Sequence, residues 1–507
     1  MGRTYDFEII DAEKYKLLEK KEAPKNNLIK LTKIKADILM EQKIVEPTPT
    51  TVIIWEKAIE TENKKQENQE KLNNQIKIAL NPYGDLREFI KEFVKKVGVY
   101  YDEHKIWWIW DTENFVWRIT DDTAIFNSLD SAINFTQPTF ESKIKSEILE
   151  LMKREGRRNE PEELPKTMIQ FKGTIIDFKT EERIAATKKY FTHNSIPWEI
   201  GETEDTPVID ALFTDWLGEK YVKTLHQIIA FTIAREYFMN RIICLLGAGS
   251  NGKSKFNDLI DKFLGEHNVC SSDLENLSAS RFETAKLYKK LVCKVSETEF
   301  SLLKKTSLLK QLSGNDSMRV EIKNKDSFDA KNYAKILIST NTLPTVQDKT
   351  IGFYRRWFIL EFNKQFEERT GLIESIPEQE FNNLALKSIK LLKELYETCR
   401  FKNELEVSER AKAFEKHSNP LLLFISDECL VGEAYKIPFF EFFENIQGYL
   451  EVNKKRSMSK IEVSRILKTE GFEVKTESKV KEDGSYTTWK FVMGITIKQG
   501  QSGIQGW

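Results

Sequence analysis

A glycine-rich segment follows an apolar run directly and could bind the phosphates of a nucleotide. Residues 242–246 are Ile-Ile-Cys-Leu-Leu, which is typical of a buried parallel strand, and a helical pattern begins at Lys255. The segment between them matches the complete GxxxxGK[ST] pattern and consists of Gly247, Ala248, Gly249, Ser250, Asn251, Gly252, Lys253 and Ser254. In such a loop, backbone N–H groups and the positive end of the following helix bind phosphate oxygens. The lysine reaches the β- and γ-phosphates and the serine is a Mg²⁺ ligand, so the sequence predicts a site for ATP and Mg²⁺.

Two carboxylates later in the chain could complete a phosphate-hydrolysing site. Residues 291–295, which are apolar except for Lys294, predict an interrupted strand, and Glu297 and Glu299 follow it. Carboxylates at the carboxyl end of a neighbouring strand are placed to hold the metal ion and to polarise the attacking water. Glu297 is the first candidate, as metal ligand and catalytic carboxylate. Glu299 is the second candidate, and a surface acid is the alternative interpretation of it.

An asparagine and a pair of arginines are the remaining candidates. A third strand is predicted at 334–338, and Asn341 follows it, where an amide can sense the γ-phosphate and position water. An asparagine after a strand also commonly forms a turn. Arg355 and Arg356 precede a predicted strand at 358–360. A guanidinium can stabilise transition-state charge at the γ-phosphate, and in ring ATPases it comes from the neighbouring subunit. The sequence does not separate the two arginines, and salt bridges alone are the alternative.

Taken in order, these segments resemble the motifs of superfamily-3 helicases. The chain contains GAGSNGKS, LVCKVSETE, KQLSGNDSMRVEIKNKDSF, KILISTNTLP and DKTIGFYRRWFILEF, which are similar to motifs A, B, B′ and C and the arginine motif of that family. The resemblance is to the poxvirus, phage and plasmid primase-helicase group. It is strong over 240–362 and weaker on both sides. Asn315 follows Gly314 where the family has paired glycines, and Thr298 between the two acids leaves the role of Glu299 open.

This resemblance implies an AAA+-like ATPase that assembles as a ring, with a hexamer expected, and translocates on single-stranded DNA. By the same resemblance, Lys253 and Ser254 are the Walker-A pair and Glu297, with Glu299, supplies the Walker-B acids. Asn341 is then sensor 1, and Arg355 or Arg356 is the arginine finger.

The B′ segment is the expected contact with single-stranded DNA. Residues 318–335 contain five basic and three acidic side chains, an excess of +2 that a ring would repeat around its pore. The resemblance implies a hairpin that projects into the pore, with Lys323 and Lys325 gripping the DNA backbone. Without the resemblance, an ordinary solvated hairpin is the simpler interpretation.

The C-terminal region is predicted to be a winged-helix-like domain. Residues 454–481 hold nine basic and four acidic side chains, an excess of +5. A helix is predicted at 459–470, followed by a charged hairpin with its turn at Asp483-Gly484. Such a unit suits a helix in the major groove and a wing on phosphates, so it is expected to recognise duplex origin DNA. A charged domain that supports oligomerisation is the alternative.

The fold class is predicted to be α/β, a P-loop AAA+-like motor with a mixed α+β N-terminal region. Two hairpins are expected there, a tryptophan-rich one at 107–119 and another at 167–180. The tryptophans could stack nucleobases, but a small packed core is favoured. Residues 153–165 are expected to be an exposed loop. The predicted segments are an arm or linker at 1–80, the N-terminal domain at 81–235, the motor at 236–366, a helical connector at 367–418, the winged-helix-like domain at 419–498 and a disordered tail at 499–507.

Composition excludes several classes of protein. The 78 Lys and Arg against 79 Asp and Glu exclude a uniformly basic coat, although charge confined to a channel or tail remains compatible with DNA. Five scattered cysteines favour a reducing cytosol, that of the host cell if the protein is viral, over a disulfide framework or a CxxC zinc site. No apolar run approaches the roughly 18 residues that span a bilayer, so no membrane association is expected.

The predicted function is that of an ATP-dependent replicative DNA helicase and initiator from a virus, plasmid or integrated element. No primase catalytic domain is expected, because residues 1–80 are too short for one, so a primase or polymerase is a possible partner. Two alternatives stay open. One is a P-loop motor that packages or remodels without unwinding, and the other is an origin-binding initiator that uses ATP only for assembly.

Overall fold

The computed structural model describes residues 86–132, 142–247, 249–279, 282–295, 302–303, 306–321, 326–367, 369–452, 457–480 and 486–498. The predicted arm at 1–80 and the tail at 499–507 lie outside these ranges. The chain divides into two compact units, one formed by residues 1–97 and 123–148 and the other by residues 98–122 and 149–507. Of the described helices, the first unit contains α1 (Leu86–Phe93), most of α2 (Asp122–Ala132) and the beginning of α3 (Ser142–Arg158).

The second unit begins with the tryptophan-rich hairpin. Strands β1 (Val99–Tyr101), β2 (Trp107–Asp111) and β3 (Val116–Thr120) form an antiparallel sheet in that order. Trp107, Trp108 and Trp117 are all at most 2% exposed, so their rings form a small core and are not available to stack nucleobases. The packed-core interpretation of this hairpin is therefore confirmed.

The expected loop at 153–165 is wrong over its first half, because α3 continues to Arg158. The reason is tertiary. Gly156 faces Tyr101 and Trp107 so closely that a Cβ there would lie 3.2–3.3 Å from their side chains, so this end of the helix packs tightly on β1 and β2. Ion pairs at i,i+3, including Arg158 with Glu155 at 2.7 Å, add support along the helix.

Short strands and two helices lead to the central sheet. The second predicted hairpin is confirmed as β5 and β6, with Gly173 in its turn at a φ of +68°. The elements in this region are β4 (Glu162–Glu163), β5 (Met168–Phe171), β6 (Thr174–Asp177), β7 (Arg183–Ala185), β8 (Tyr190–Phe191), β9 (Ser195–Ile196), α4 (Pro207–Leu217) and α5 (Val222–Thr232). A sheet of order β7-β6-β5-β9 results, in which β9 is parallel to β5.

A five-stranded parallel sheet forms the centre of the second unit and confirms the predicted α/β class. Its order is β11-β12-β16-β10-β18. The elements from this part of the chain are β10 (Ile242–Leu246), α6 (Lys253–Leu264), β11 (Val269–Ser272), α7 (Leu274–Ala279), β12 (Val292–Val295), β13 (Leu302–Leu303), α8 (Ser307–Leu312), β14 (Ser317–Val320), β15 (Phe328–Lys331), β16 (Lys335–Thr340), β17 (Thr345–Val346), α9 (Ile351–Tyr354) and β18 (Trp357–Glu361). Strand β10 lies between β16 and β18 and is parallel to both, and each of its five residues is buried.

One hydrophobic cluster joins three of the predicted segments. It contains Phe171 from the N-terminal region, Phe256 from α6 and Phe381 from the predicted connector. The connector consists mainly of α10 (Glu378–Thr398) and α11 (Val407–Ser418), and the ring of Trp198 stacks on Phe381 at 4.5 Å between centroids. Because these residues share a core, the N-terminal strands and the connector hold the helices that face the central sheet. The predicted domain boundaries themselves remain a prediction.

The B′ segment forms a hairpin, as expected from the resemblance. Strands β14 and β15 pair antiparallel, with Ser317 opposite Lys331 and Val320 opposite Phe328. Lys323 and Lys325, the residues expected to contact DNA, lie outside the described residues.

The C-terminal region has its own hydrophobic cluster, which includes Phe442, Val463 and Ile495. Its elements are α12 (Pro420–Glu428), β19 (Cys429–Pro438), α13 (Phe439–Val452), α14 (Lys460–Thr469), β20 (Val474–Val480) and β21 (Tyr486–Ile497), with the sheet order β19-β21-β20. The predicted helix is confirmed as α14, which Ser459 caps by accepting a hydrogen bond from the Glu462 amide. The antiparallel pairing of β20 and β21 confirms the predicted hairpin, while its expected turn at 483–484 falls outside the described ranges.

Within the described ranges, no helix combines the length and the apolar character needed to span a bilayer.

Candidate nucleotide-binding site

The phosphate-binding loop lies at the carboxyl end of β10. The Gly247 amide donates to Thr340 O at 3.1 Å, which fixes the start of the loop against the end of β16. A Cβ on Gly247 would overlap Asn251 Nδ2 and Phe362 O, so only glycine fits there. At the other end, Gly252 has a φ of +94° and caps α6, so the N-terminus of this 12-residue helix opens onto the loop. The positive end of the helix dipole therefore faces the place where an anion would bind.

Lys253 is held above the loop by oxygen acceptors. Its side chain is nearly buried, and its ammonium donates to Gly247 O at 2.5 Å, Asn251 Oδ1 at 3.1 Å and Asn341 Oδ1 at 3.3 Å. Phosphate oxygens can replace such acceptors without unfolding the loop, since the same ammonium needs the same kind of partner. The structure thus brings Asn341 to the lysine across 88 residues of chain.

A cavity of about 590 Å³ extends from the loop. Ser254 is exposed and lines it, together with Lys253 and Asn341. Its residues come from the loop, from α6, from the end of β16, from the end of α4 and from the segment that follows β18. This volume lies within the range of ordinary small-molecule sites.

Several lining residues were missed by the sequence reasoning. Asp215 and Trp216 belong to α4, and Arg369 belongs to the segment after β18. A Cβ on Gly252 would lie 2.7 Å from Trp216 Cδ1, so the indole packs directly against the loop. No spacing relates these residues to the loop motif, and the helical periodicity of 208–238 indicated only core packing.

Helix α4 is held in place by a polar cluster behind the indole. Asp210 Oδ1 and His226 Nε2 are 2.5 Å apart, and the Lys387 ammonium lies 3.4 Å from the same carboxylate. Burial by itself raises the pKa of Asp210, but the hydrogen bonds and charge of these neighbours bring it down to about 2. The carboxylate is therefore ionised at neutral pH, and it ties α4 to α5 and α10.

The two arginines have different environments. Arg355 is exposed, whereas Arg356 is 8% exposed and its guanidinium donates to Gly352 O and, at 3.4 Å, to Lys310 O. Burial also lowers the pKa of Arg356. Neither arginine lines the cavity of its own chain.

The remaining candidates fall outside the described residues. They are Ala248, Glu297, Glu299, Lys323 and Lys325. Strand β12 ends at Val295, which is paired with Ile338 of β16. In the parts of the chain that the structure describes, no group of three or more His, Cys, Asp or Glu could hold a metal ion. A Mg²⁺ ion brought by a nucleotide fits the exposed Ser254 hydroxyl, and no further ligand is described.

Comparisons with known proteins add two family matches. Residues 87–222 match the family described as D5 N terminal like, which points to the phage-type primase-helicases. Residues 245–356, from the loop strand to Arg356, match a family of unknown function, DUF5906. No curated protein matches the chain.

Among solved structures, the chain is similar to two apo structures of the NrS-1 C terminal region. Both are 14% identical to it, with TM-scores of 0.41 and 0.43. Each match covers 80% of this chain and 98% or 99% of the other. At these values the likeness carries no functional argument.

Proposed function

We propose that this chain is an ATP-dependent replicative DNA helicase and initiator of a mobile element, working as a ring, with a hexamer expected. The observation that carries the proposal is the contact between Lys253 of a complete phosphate-binding loop and Asn341 of the neighbouring parallel strand. The D5 N-terminal-like match supports a role in DNA replication. The cytosol of the host cell is the expected location.

ATP hydrolysis would use residues from three strand ends. Bound with Mg²⁺, ATP supplies the phosphoanhydride whose cleavage drives the motor. Lys253 would hold the β- and γ-phosphates, and Ser254 with Glu297 would hold the metal ion. Glu297, or Glu299 in its place, would polarise the attacking water, which Asn341 would position. This assignment is supported by the shared cavity of Lys253, Ser254 and Asn341.

We assign the finger role to Arg355 and a positioning role to Arg356. An arginine finger that acts on a neighbouring subunit has to be exposed on the surface of the subunit that carries it, and Arg355 is exposed. Among the described residues, its guanidinium has no hydrogen-bond or ion-pair partner. The Arg356 guanidinium instead donates to the backbone carbonyls of Gly352 and Lys310. A ring would then bring Arg355 to the nucleotide site of the neighbouring subunit, in addition to the Arg369 that lines the cavity of its own chain.

Two surfaces are proposed to contact DNA. The segment joining β14 to β15 carries Lys323 and Lys325 and would line the pore. In the C-terminal region, α14 buries Val463 and Leu467 and exposes Arg465 and Lys468 on its other side. This division supports a helix packed on its domain with basic side chains turned towards duplex phosphates.

The test is ATP-dependent displacement of a labelled strand from a forked duplex. Lys253→Ala should abolish hydrolysis and displacement, while Lys390→Ala, on an exposed lysine of α10 paired with Glu204, should leave both intact. ATP hydrolysis without displacement would favour a motor that packages or remodels. Assembly on ATP without turnover would favour the initiator alternative. Truncation after residue 450 that leaves duplex-origin binding unchanged would remove the role of the C-terminal region.

A further inference from the structure

A second cavity, of about 290 Å³, lies apart from the phosphate-binding loop. Its walls come from the strand region before the motor, from the residues after α5 and from the base of the B′ hairpin. Asn315 lies just before β14, and Ala330 and Lys331 lie at the end of β15. The cavity therefore contacts the hairpin where its first strand begins and its second strand ends. The proposed function assigns no role to it.

Arg235 forms one side of this cavity. Its Nη2 donates to three backbone carbonyls, those of Leu164 at 2.9 Å, Pro165 at 2.6 Å and Met168 at 3.1 Å. Its Nε is buried without a hydrogen-bond partner, and Nη1 has none among the described residues. The carbonyls therefore fix the orientation of the guanidinium but leave most of its donors unused.

Lys289 supplies a second cation on the cavity wall. Its backbone adopts a φ of +58°, and its ammonium lies 5.0 Å from the centre of the Phe191 ring and 5.6 Å from that of Tyr288. Within the described part of the chain, this ammonium forms no hydrogen bond or ion pair. Burial lowers the pKa of Lys289, Glu163 opposes that effect, and the charge of Arg235 lowers it further. Because Arg235 and Lys289 line the same cavity, their like charges oppose each other there.

Hydrogen-bonded polar side chains line the cavity beside the two cations. The Tyr333 hydroxyl donates to Asn194 Oδ1 at 2.8 Å, and Asn194 Nδ2 donates to Lys289 O at 2.9 Å. His193 is kept neutral by burial, which lowers its pKa to about 4, and its Nδ1 lies 2.8 Å from Trp117 O. Because a carbonyl only accepts, Nδ1 carries the proton and Nε2 remains an acceptor.

Two under-coordinated cations in one cavity are costly unless an anion joins them. Arg235 and Lys289 are both only partly exposed, so each charge has lost part of its hydration, and a second like charge nearby adds to that cost. Among the other charged residues on this wall, Lys166 is paired with Glu236 at 3.4 Å, and Glu163 and Lys331 line the cavity as well. An anion between Arg235 and Lys289 would use their free donors and cancel their repulsion.

We propose that this cavity binds a nucleotide phosphate, contributed either by the backbone of single-stranded DNA or by a free mononucleotide. Phosphate oxygens accept from both cations, while the rings of Phe191 and Tyr288 offer apolar surface to the adjoining sugar or base. Through Asn315 and Lys331, the occupied cavity contacts the base of the B′ hairpin. The site is distinct from the phosphate-binding loop and does not require ATP hydrolysis.

The test compares Lys289→Met with the matched control Lys290→Met in the full chain. Lys290 is adjacent in sequence, but its ammonium donates to His267 O at 2.6 Å and does not line the cavity. Binding of labelled dT15 and of dTMP is titrated with excess nonhydrolysable ATP analogue and Mg²⁺, which keeps the loop site from taking up the probes. Lys289→Met should weaken dT15 about tenfold, which is about 1.4 kcal/mol, and lower the salt slope by about one.

Each outcome either tests the proposed site or identifies the source of the phosphate that it binds. Loss of dT15 affinity identifies a strand phosphate, and loss of dTMP affinity alone identifies a free nucleotide. Unchanged affinity for both probes overturns the proposal. Reductive methylation of the wild-type chain keeps the test valid even if Lys289→Met does not fold. Either probe should protect Lys289 but not Lys290, and equal labelling of Lys289 with and without both probes overturns the site.

Discussion

The contact between Trp216 and the phosphate-binding loop can be tested with two glycines of that loop. Gly249 and Gly252 have almost the same φ, +95° and +94°. A Cβ on Gly249 meets no atom within 4 Å. A Cβ on Gly252 would lie 2.7 Å from Cδ1, 2.9 Å from Cγ and 3.0 Å from Nε1 of Trp216. Both alanine variants therefore carry the cost of a positive φ, and only the alanine at position 252 also meets a packed side chain.

The structure gives the expected magnitudes. An alanine in the left-handed region costs about 1–2 kcal/mol, so Gly249→Ala should lose about that much stability. Gly252→Ala should lose about 1–3 kcal/mol more, because the Trp216 indole is 3% exposed and a packed ring cannot move away freely. The total expected for Gly252→Ala is about 2–5 kcal/mol.

Urea unfolding followed by circular dichroism measures the loss of unfolding free energy in both alanine variants. The experiment is done without nucleotide, so that no phosphate contacts the new methyl group. The same two variants are then made in a Trp216→Leu background, which removes the ring edge. In that background Gly252→Ala should cost no more than Gly249→Ala. Equal costs in the wild-type background, or an excess cost that survives Trp216→Leu, would refute the packing of α4 on the loop.

Three further predictions concern the arginine pair, the amide at the end of β16 and a buried histidine. Arg355→Ala should reduce ATP hydrolysis by the assembled protein about 10³-fold or more and leave its unfolding free energy within about 0.5 kcal/mol of wild type. Arg356→Ala should instead lower the unfolding free energy by about 1–3 kcal/mol, because its buried guanidinium holds backbone carbonyls. Equal stability losses in the two variants would contradict this division. Asn341→Ala should retain ATP binding and lower the turnover rate about 10²–10³-fold in steady-state assays, and a loss confined to binding would rule out a role in positioning water. Burial lowers the pKa of His193 to about 4, whereas the same side chain in the unfolded chain binds a proton below about pH 6.5. The unfolded state therefore binds more protons between about pH 6.5 and 4, and the unfolding free energy should fall as the pH falls through this window. Between pH 7 and pH 5, His193 should lower the unfolding free energy by about 2 kcal/mol, and the His193→Gln variant should lack this loss. If both proteins show the same pH dependence of stability, His193 is not its source.

Local patterns accounted for much of the fold. The buried strand before the loop, the tryptophan-rich hairpin and the helix capped by Ser459 all follow from neighbouring residues, because periodicity, turn residues and caps act over a few positions. Boundaries were less exact. Helix α6 already begins at Lys253, and β16 continues to Thr340 because its last residues pair with Leu245 and Leu246 of β10.

Contacts between distant segments could not be predicted in this way. Arg355 and Arg356 are chemically identical neighbours, and only the packing around α9 exposes one and buries the other. In the same way, nothing in the spacing of Arg235 and Lys289 suggests that both line one cavity.

By itself the sequence determined the glycine-rich loop between a buried strand and a helix, the α/β class and the helix and hairpin that end the C-terminal region, because these depend on short stretches of consecutive residues. Only the tertiary structure decided that Trp216 packs on the loop and that Asn341 reaches Lys253. Such contacts depend on how α4 and the parallel strands share a core. That packing is a property of many side chains together and leaves no local signal in the sequence.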